Sequence, residues 1–294
     1  MTEIRTFEQL QAAVREIVTN QPVTDMHTHL YSPNFGDLLL WGIDELLTYH
    51  YLIAEVMRWS ERTPESFMQL SKSEQADHIW QHLFLAHSPV SEACRGVLTT
   101  LSAFGFDLGR RDLQAYREHF RNTDAFQHVD RVFQLANVDH VVMTNDPFDD
   151  KERAVWLSGT RPDARFHAAL RIDPLLMKYG ETKNKLKAWG YQVGDQWDEQ
   201  SIREVRRFLR DWIQKMNPLY MAVSLTDDFT YPADDDCSRI IRDCILPECR
   251  EAGIPFAMMI GVKRKVNPAL GDAGDYLGKD RKSTRLNSSH LGIS

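Results

Sequence analysis

Short apolar segments alternate with helical segments through the second half of the chain, and this alternation limits the folds open to it. Segments typical of buried strands lie near residues 139–144, 166–171, 220–225 and 255–260. Helical spacing of apolar residues fills two intervals, 201–216 and 236–252, and Gly253 ends the second helix. This order predicts βαβ units around a parallel sheet. Polar residues follow each strand, and in a barrel that end carries the active site.

A fifth strand is predicted near residues 22–26, ahead of a stretch from 37 to 137 that has helical character throughout. A closed (β/α) barrel needs eight strands. Only 33 residues follow Gly261, and they show no strand pattern. We therefore predict an α/β fold, a partial TIM-type (β/α) barrel with about five of eight strands and a large all-helical insertion after strand 1. An open five-stranded sheet that is complete as it stands is the alternative.

The predicted domain organisation follows from the same pattern. Residues 1–280 form an incomplete (β/α)-barrel catalytic domain, with the helical insertion at about 37–137. Residues 281–294 are polar and aperiodic, so we expect a disordered tail, foreign to a truncated reading frame. A native linker is the alternative reading of that tail.

Charge and cysteine content narrow the class of protein. The formal net charge of −7 argues against a nucleic-acid binder that works through bulk charge. No apolar run reaches the roughly 18 residues of a membrane span, and residues 1–20 lack the apolar block of a secretory signal. Without a Cys-x-x-Cys pair, reduced thiols are favoured over a thiolate metal site. The cysteines are Cys94, Cys237, Cys244 and Cys249. We expect a cytoplasmic protein that binds neither nucleic acid nor membrane.

A His-x-His motif follows the first predicted strand. In an extended segment, residues two apart point to the same side, so His27 and His29 can converge on one cation. A bare His-x-His is a weak signal in a chain with 11 histidines. Its place between an apolar strand and a polar loop favours a metal site. Two histidines of a surface loop are the alternative.

Four stretches together give the chain a resemblance to the uronate isomerase (glucuronate isomerase) family of the amidohydrolase superfamily. They are DMHTH at 25–29, ELLTYHYL at 45–52, LRIDP at 170–174 and IGVKRKVNP at 260–268. Their order, and the helical insertion after strand one, agree with the family from about residue 5 to about residue 280. The resemblance implies a barrel enzyme that binds one divalent metal, expected to be zinc, through His27, His29 and water.

The resemblance also assigns roles to three residues outside the metal site. It makes His50 a substrate-binding residue and Tyr51 a catalytic hydroxyl donor or proton shuttle. It makes Arg171 both catalytic and substrate-binding, through the carboxylate of a uronate or the oxygens of an enediolate. For Tyr51 the alternative is an aromatic stripe with Tyr49 and Trp59 that packs on the barrel.

For Arg171 the alternative is a salt bridge to Asp173 or Asp146 across neighbouring strand ends. Asp173 itself is predicted to be structural, supporting the turn at Pro174. The basic run at 263–265 is read as a solvated loop.

Several residues that the resemblance leads us to expect are absent. The family's third metal ligand and base, an aspartate on the last strand, has no counterpart here, and neither do a tryptophan and a second arginine from late strands. Met259 stands where some family members have histidine. His167 lies at the start of strand three, far from the active face. We therefore expect at most one metal.

The predicted function is aldose–ketose isomerisation of a uronate sugar through an enediolate. D-Glucuronate to D-fructuronate, and/or D-galacturonate to D-tagaturonate, are the expected reactions. Since the expected base is missing, the 294-residue chain is predicted to be inactive or nearly so. A homo-oligomer of a full-length parent is compatible with the sequence. The alternatives are a mononuclear metal-dependent hydrolase and a non-functional fragment.

Overall fold

The computed structural model describes residues 4–277, and within them six strands form one sheet in chain order. The first five strands run parallel, and the sixth pairs antiparallel with the fifth. The strands are β1 (Val23–Thr28), β2 (Val138–Asn145), β3 (Phe166–Arg171), β4 (Tyr220–Thr226), β5 (Phe256–Lys263) and β6 (Tyr276–Leu277). Five parallel strands in this order form a half-barrel, so the predicted partial (β/α) barrel is confirmed. The predicted tail at 281–294 lies outside the described residues.

Between β1 and β2 the described chain forms helices and connecting loops. The sequence from 37 to 137 therefore produces the predicted helical insertion. Its α-helices are α2 (Ile43–Leu47), α3 (His50–Val56), α4 (Pro64–Met68), α5 (Lys72–Ile79), α6 (Glu92–Ala103), α7 (Leu113–Arg121) and α8 (Ala125–Ala136). Helices α2 to α7 enclose an apolar core of their own, whereas Phe133 of α8 belongs to the core beneath the sheet. Capping residues set their starts: Ser71 forms a capping box with Glu74. Helix α6 begins at Glu92, where Ser91 supplies the cap.

The helices outside the insertion, apart from α1 (Phe7–Asn20), contribute residues to the core beneath the sheet. They are α9 (Asp150–Leu157), α10 (Asp173–Met177), α11 (Tyr179–Ala188), α12 (Glu199–Met216), α13 (Asp236–Ile240) and α14 (Leu246–Ala252). In α12, Val205, Phe208, Leu209 and Trp212 follow the 3–4 spacing of one helix face, and all four are buried against the sheet. No described helix is long and apolar enough to cross a membrane.

Helix α1 forms as its apolar spacing predicts, and a capping box at Thr6 begins it. However, none of its residues is buried within the described structure. Phe7 is 68% exposed and Ile17 is 65% exposed. Apolar periodicity therefore indicates the helix but does not specify a partner for its apolar face.

After β5 the chain folds back over the helical insertion, and we call residues 264–276 the return segment. It contains a 3₁₀ turn at Pro268–Gly274, and Leu270 in that turn is buried in the core of the insertion. The turn packs against α3 and α4. Sequence periodicity did not predict this element, because contacts with helices that are distant in the sequence hold it in place.

Within the return segment, the backbone of Gly274 lies close to the backbone of Asn267. A Cβ atom at Gly274 would lie 2.0 Å from the carbonyl oxygen of Asn267, a distance that no real contact tolerates. We expect Gly274→Ala to destabilise the protein by about 2 kcal/mol, because the backbone must move apart. Gly96→Ala is the matched control, since a Cβ there meets nothing within 4 Å and the site is in α6. Urea unfolding should show that the control is neutral or stabilising by up to about 1 kcal/mol. Equal stability of the two variants would contradict this expectation.

Candidate active site

The predicted site residues of the strands lie on the inner face of the half-barrel, at the carboxyl ends of the strands. His27 lies near the end of β1 and His29 follows it, Arg171 ends β3, and Ser224 lies near the end of β4. Since side chains alternate along a strand, these positions share one face of the sheet. The structure therefore brings together residues that are far apart in the sequence.

The two histidines meet as the i, i+2 pattern predicts. Their ring centroids are 5.1 Å apart and the rings are nearly perpendicular. A register shift interrupts the pairing of β1 with β2 between Asp25 and Thr28, so the strand is irregular where it presents His27. His27 is half-buried, whereas His29 is exposed.

A hydroxyl group on β2 and another on β4 lie beside the Nδ1 atoms of the two rings and favour one tautomer of each. Thr144 Oγ1 donates to the carbonyl oxygen of Thr28 and lies 3.1 Å from Nδ1 of His29. A hydroxyl has one hydrogen, so Nδ1–H of His29 is the donor in that second contact. Tyr220 donates to the carbonyl of Met26 in the same way, at 3.5 Å from Nδ1 of His27. With Nδ1 protonated, Nε2 is the nitrogen of each ring that carries the lone pair.

This arrangement fits two ligands of a divalent metal, because metal-bound imidazoles usually donate their other N–H to a neighbouring oxygen. Among residues 4–277, no group of three or more His, Cys, Asp or Glu side chains is placed to hold a metal. The described residues thus supply two imidazoles. The assignment of His27 and His29 as metal ligands stays a prediction.

Arg171 makes the salt bridge that was the alternative to a substrate contact. Its Nη2 donates to Oδ1 of Asp173 at 2.5 Å and its Nε donates to Oδ2 at 3.1 Å. Nη2 also donates to Ser224 Oγ at 3.1 Å. Burial alone would lower the pKa of Arg171, but the bonds to Asp173 raise it overall. Within the described residues these bonds use Nε and Nη2, so the two Nη1 hydrogens remain for a ligand. The role of Arg171 in substrate binding stays a prediction.

Asp173 has a structural role, but it differs from the predicted one, which was to support the turn at Pro174. It begins α10, and its carboxylate also accepts from the backbone N–H of Ser224 at 3.2 Å and from Nη2 of Arg264 at 3.0 Å. The residues at 263–265 are exposed, as the reading of a solvated loop predicts, but two of them also make ion pairs. Lys263 pairs with Asp227, and Arg264 pairs with Asp173 and Asp275.

Asp146 is a site residue that the sequence identified only as a salt-bridge partner. Burial raises its pKa to about 6, and the nearby charge of Asp173 acts in the same direction, while Phe148 N–H and Arg171 oppose it. A carboxyl with this pKa exchanges protons near neutral pH. The sequence feature that could have identified Asp146 is its position directly after β2.

His50 and Tyr51 are the first two residues of α3. At the end of a helix, two adjacent side chains can reach the same site. Their ring centroids are 4.2 Å apart. Tyr51 is 46% exposed and Trp59 is 50% exposed, while the ring of Tyr51 lies 5.5 Å from that of Tyr49 between centroids. Burial lowers the pKa of His50, and the charges of Asp272 and Asp275 oppose that shift. A neutral imidazole can both donate to and accept from a sugar hydroxyl. Their roles stay predictions.

Comparison with solved structures identifies similar proteins. A uronate isomerase from Bacillus halodurans C-125 is 62% identical, with a TM-score of 0.92. The match covers 94% of this chain and 66% of the other, so this chain spans slightly less than two thirds of that relative.

More distant structures show the fold alone. A glucuronate isomerase from Caulobacter crescentus is 15% identical with a TM-score of 0.63, over 91% of this chain and 64% of the other. A uronate isomerase from Thermotoga maritima is 13% identical with a TM-score of 0.66, over 92% and 68%. No protein-family model and no curated protein matched the chain.

Proposed function

Because the chain belongs to the uronate isomerase family, we propose that it carries part of the site for aldose–ketose isomerisation of a uronate. The convergence of His27, His29 and Arg171 at one edge of the sheet carries this proposal. The expected reactions are D-glucuronate to D-fructuronate, and/or D-galacturonate to D-tagaturonate. Both move a proton between C2 and C1 and build negative charge on oxygen. The inner-face His-x-His supports membership of the amidohydrolase superfamily, and four cysteines without a disulfide support a cytoplasmic location.

Arg171 is proposed to bind the anionic groups of the substrate. Its Nη1 edge presents two donors, and a guanidinium matches the planar geometry of a carboxylate. The same donors can stabilise an enediolate oxygen as charge develops there. Asp173 holds Nε and Nη2, so the guanidinium plane is fixed before substrate arrives.

His50 and Tyr51 lie on the helical insertion. We propose that they bind the substrate on the side opposite Arg171 and donate hydrogen bonds to it. A neutral His50 hydrogen-bonds a sugar hydroxyl without competing for the uronate carboxylate. Tyr51 keeps an exposed hydroxyl that can donate to the substrate. A divalent metal held by His27 and His29, expected to be zinc, would polarise the sugar carbonyl when bound.

Zinc binding is expected to depend on the two histidines. The chain should take up one equivalent of zinc, and His29→Ala should weaken that binding at least tenfold, since one of two protein ligands is lost. His167→Ala is the matched control: His167 pairs with His140 at 3.2 Å near the amino-terminal ends of the strands. Calorimetric titration of zinc measures both variants. Equal weakening in the two variants would remove His29 from the proposed metal site.

Ligand titration tests the function proposed for the site. We expect D-glucuronate or D-galacturonate, but not the neutral sugar D-glucose, to perturb the ring resonances of His50 in NMR spectra. Arg171→Gln should abolish the preference for the acidic sugar, because the guanidinium supplies the charge that recognises it. Equal binding of glucose and uronates by the unaltered chain would overturn the proposal. Hydrolysis of a lactone without recognition of uronates would favour the metal-dependent hydrolase instead.

A further inference from the structure

Arg264 joins the return segment to the carboxyl end of β3. Its Nη2 donates to Oδ1 of Asp173 at 3.0 Å, and its Nη1 lies 3.3 Å from Oδ2 of Asp275. Oδ1 of Asp173 is the same atom that accepts from Arg171. One carboxylate, 12% exposed, is therefore shared by an arginine of the predicted uronate site and an arginine of the return segment.

The return segment is in turn fixed to the helical insertion. Leu270 is buried among the core residues of the insertion, and the 3₁₀ turn around it packs against α3. Asp275 accepts the backbone N–H of Lys265 at 2.7 Å, which holds the two ends of the segment together. Asp272 and Asp275 lie close enough to His50 for their charges to oppose the effect of burial on its pKa.

A continuous path thus runs from Arg171 on β3 to helix α3. Ion pairs join Arg171, Asp173, Arg264 and Asp275, and the 3₁₀ turn that precedes Asp275 packs against α3. The two halves of the predicted site belong to different cores, one beneath the sheet and one inside the insertion. Separate cores can move relative to each other unless specific contacts join them.

We propose that Arg264 is a positioning residue that fixes the distance between Arg171 and the His50–Tyr51 pair. The inference rests on the proposed function, because that function makes both groups face one uronate. Arg264 does not need to touch the substrate. It orients Arg171 through their shared carboxylate, and it holds α3 in place through the return segment.

Arginine suits this role better than lysine. A guanidinium presents several donors in a rigid plane and can bridge two carboxylates at once, whereas an ammonium is a single point charge on a flexible stem. Arg264→Lys should therefore retain the charge but keep only one of the two contacts. This substitution separates positioning from the general effect of a positive charge.

The test compares Arg264→Gln and Arg264→Lys with the unaltered chain. Arg242→Gln is the matched control, because Arg242 is 63% exposed and pairs with its sequence neighbour Asp243, away from the site. Hydrogen–deuterium exchange is followed at 50–56 and 264–276, with the melting temperature and the affinity for D-glucuronate. We expect exchange in both segments to accelerate about tenfold in Arg264→Gln and less in Arg264→Lys. Affinity should fall about tenfold, with the melting temperature within about 4 °C of the unaltered chain.

The outcomes separate this inference from the proposed function. If exchange at 50–56 is unchanged in both Arg264 variants, Arg264 does not hold α3 and the inference is overturned. If exchange accelerates while uronate affinity is unchanged, the path does not position the site, and the inference is also overturned. If the unaltered chain binds no uronate but exchange accelerates at both segments, the proposed function fails and the mechanical link through Arg264 stands.

Discussion

Asp173→Asn is expected to lower the free energy of unfolding by about 3 kcal/mol at pH 7. The carboxylate accepts two hydrogen bonds from Arg171 and one each from Ser224 N–H and Arg264. Asparagine keeps the volume but loses the charge, and its amide nitrogen is a donor that faces other donors. Arg171 is 18% exposed, so its charge would then remain largely buried without its salt bridge to residue 173.

Urea unfolding measures this loss against Asp195→Asn as the control. Asp195 is 81% exposed and pairs with Lys183 and Lys187, so its replacement should cost less than about 1 kcal/mol. Adding Arg171→Gln to Asp173→Asn should restore part of the lost stability, because the unpaired charge is removed as well. A loss below about 1 kcal/mol for Asp173→Asn would mean that solvent already compensates Arg171.

The sequence identified the sheet because its signals are local. A strand such as β4 is buried along nearly its whole length, so it forms an apolar run that needs no knowledge of its neighbours. Helix starts were equally local where a capping side chain lies nearby, as at Ser71, Asp112 and Asp124.

Contacts between distant segments were beyond sequence reasoning. The i, i+2 spacing of His27 and His29 predicted their convergence, because strand geometry fixes it. Nothing in the sequence around Arg264 indicates that it meets Asp173, 91 residues earlier. A run of three basic residues is typical of a solvated loop, and only the fold of the return segment shows that Arg264 bridges two carboxylates. The exposed apolar face of α1 is a similar case, since periodicity cannot specify what a face contacts.

Glu152→Ala is expected to destabilise the protein by about 4 kcal/mol, more than any other single substitution considered. Glu152 is 1% exposed, and its two oxygens accept four hydrogen bonds. The donors are Tyr31 OH, Asn145 Nδ2, Asp146 N–H and Trp156 Nε1. Alanine would leave all four donors buried without this acceptor. Glu199→Ala is the control, because Glu199 is 95% exposed and its replacement should cost less than about 0.5 kcal/mol.

The carboxyl group of Glu152 also makes the stability of the protein depend on pH, and its pKa sets the direction of that dependence. Burial raises the pKa of Glu152 from 4.5 to about 7, against the opposing effect of its hydrogen bonds. The folded state therefore holds a proton that the unfolded state releases at lower pH. The contribution to stability is fully present below about pH 4.5 and is lost as the pH rises through about 7.

Glu152→Gln removes this titration, so it should destabilise the protein more at pH 5 than at pH 8, by roughly 2–3 kcal/mol. Taking the difference between variant and unaltered chain at each pH cancels the titration of the other groups. Urea unfolding at the two pH values provides the measurement. A destabilisation that is equal at both pH values, or larger at pH 8, would show that Glu152 is ionised throughout. The four donors would then outweigh burial, and Tyr31 and Asn145 would be held by a charge rather than by a neutral acid.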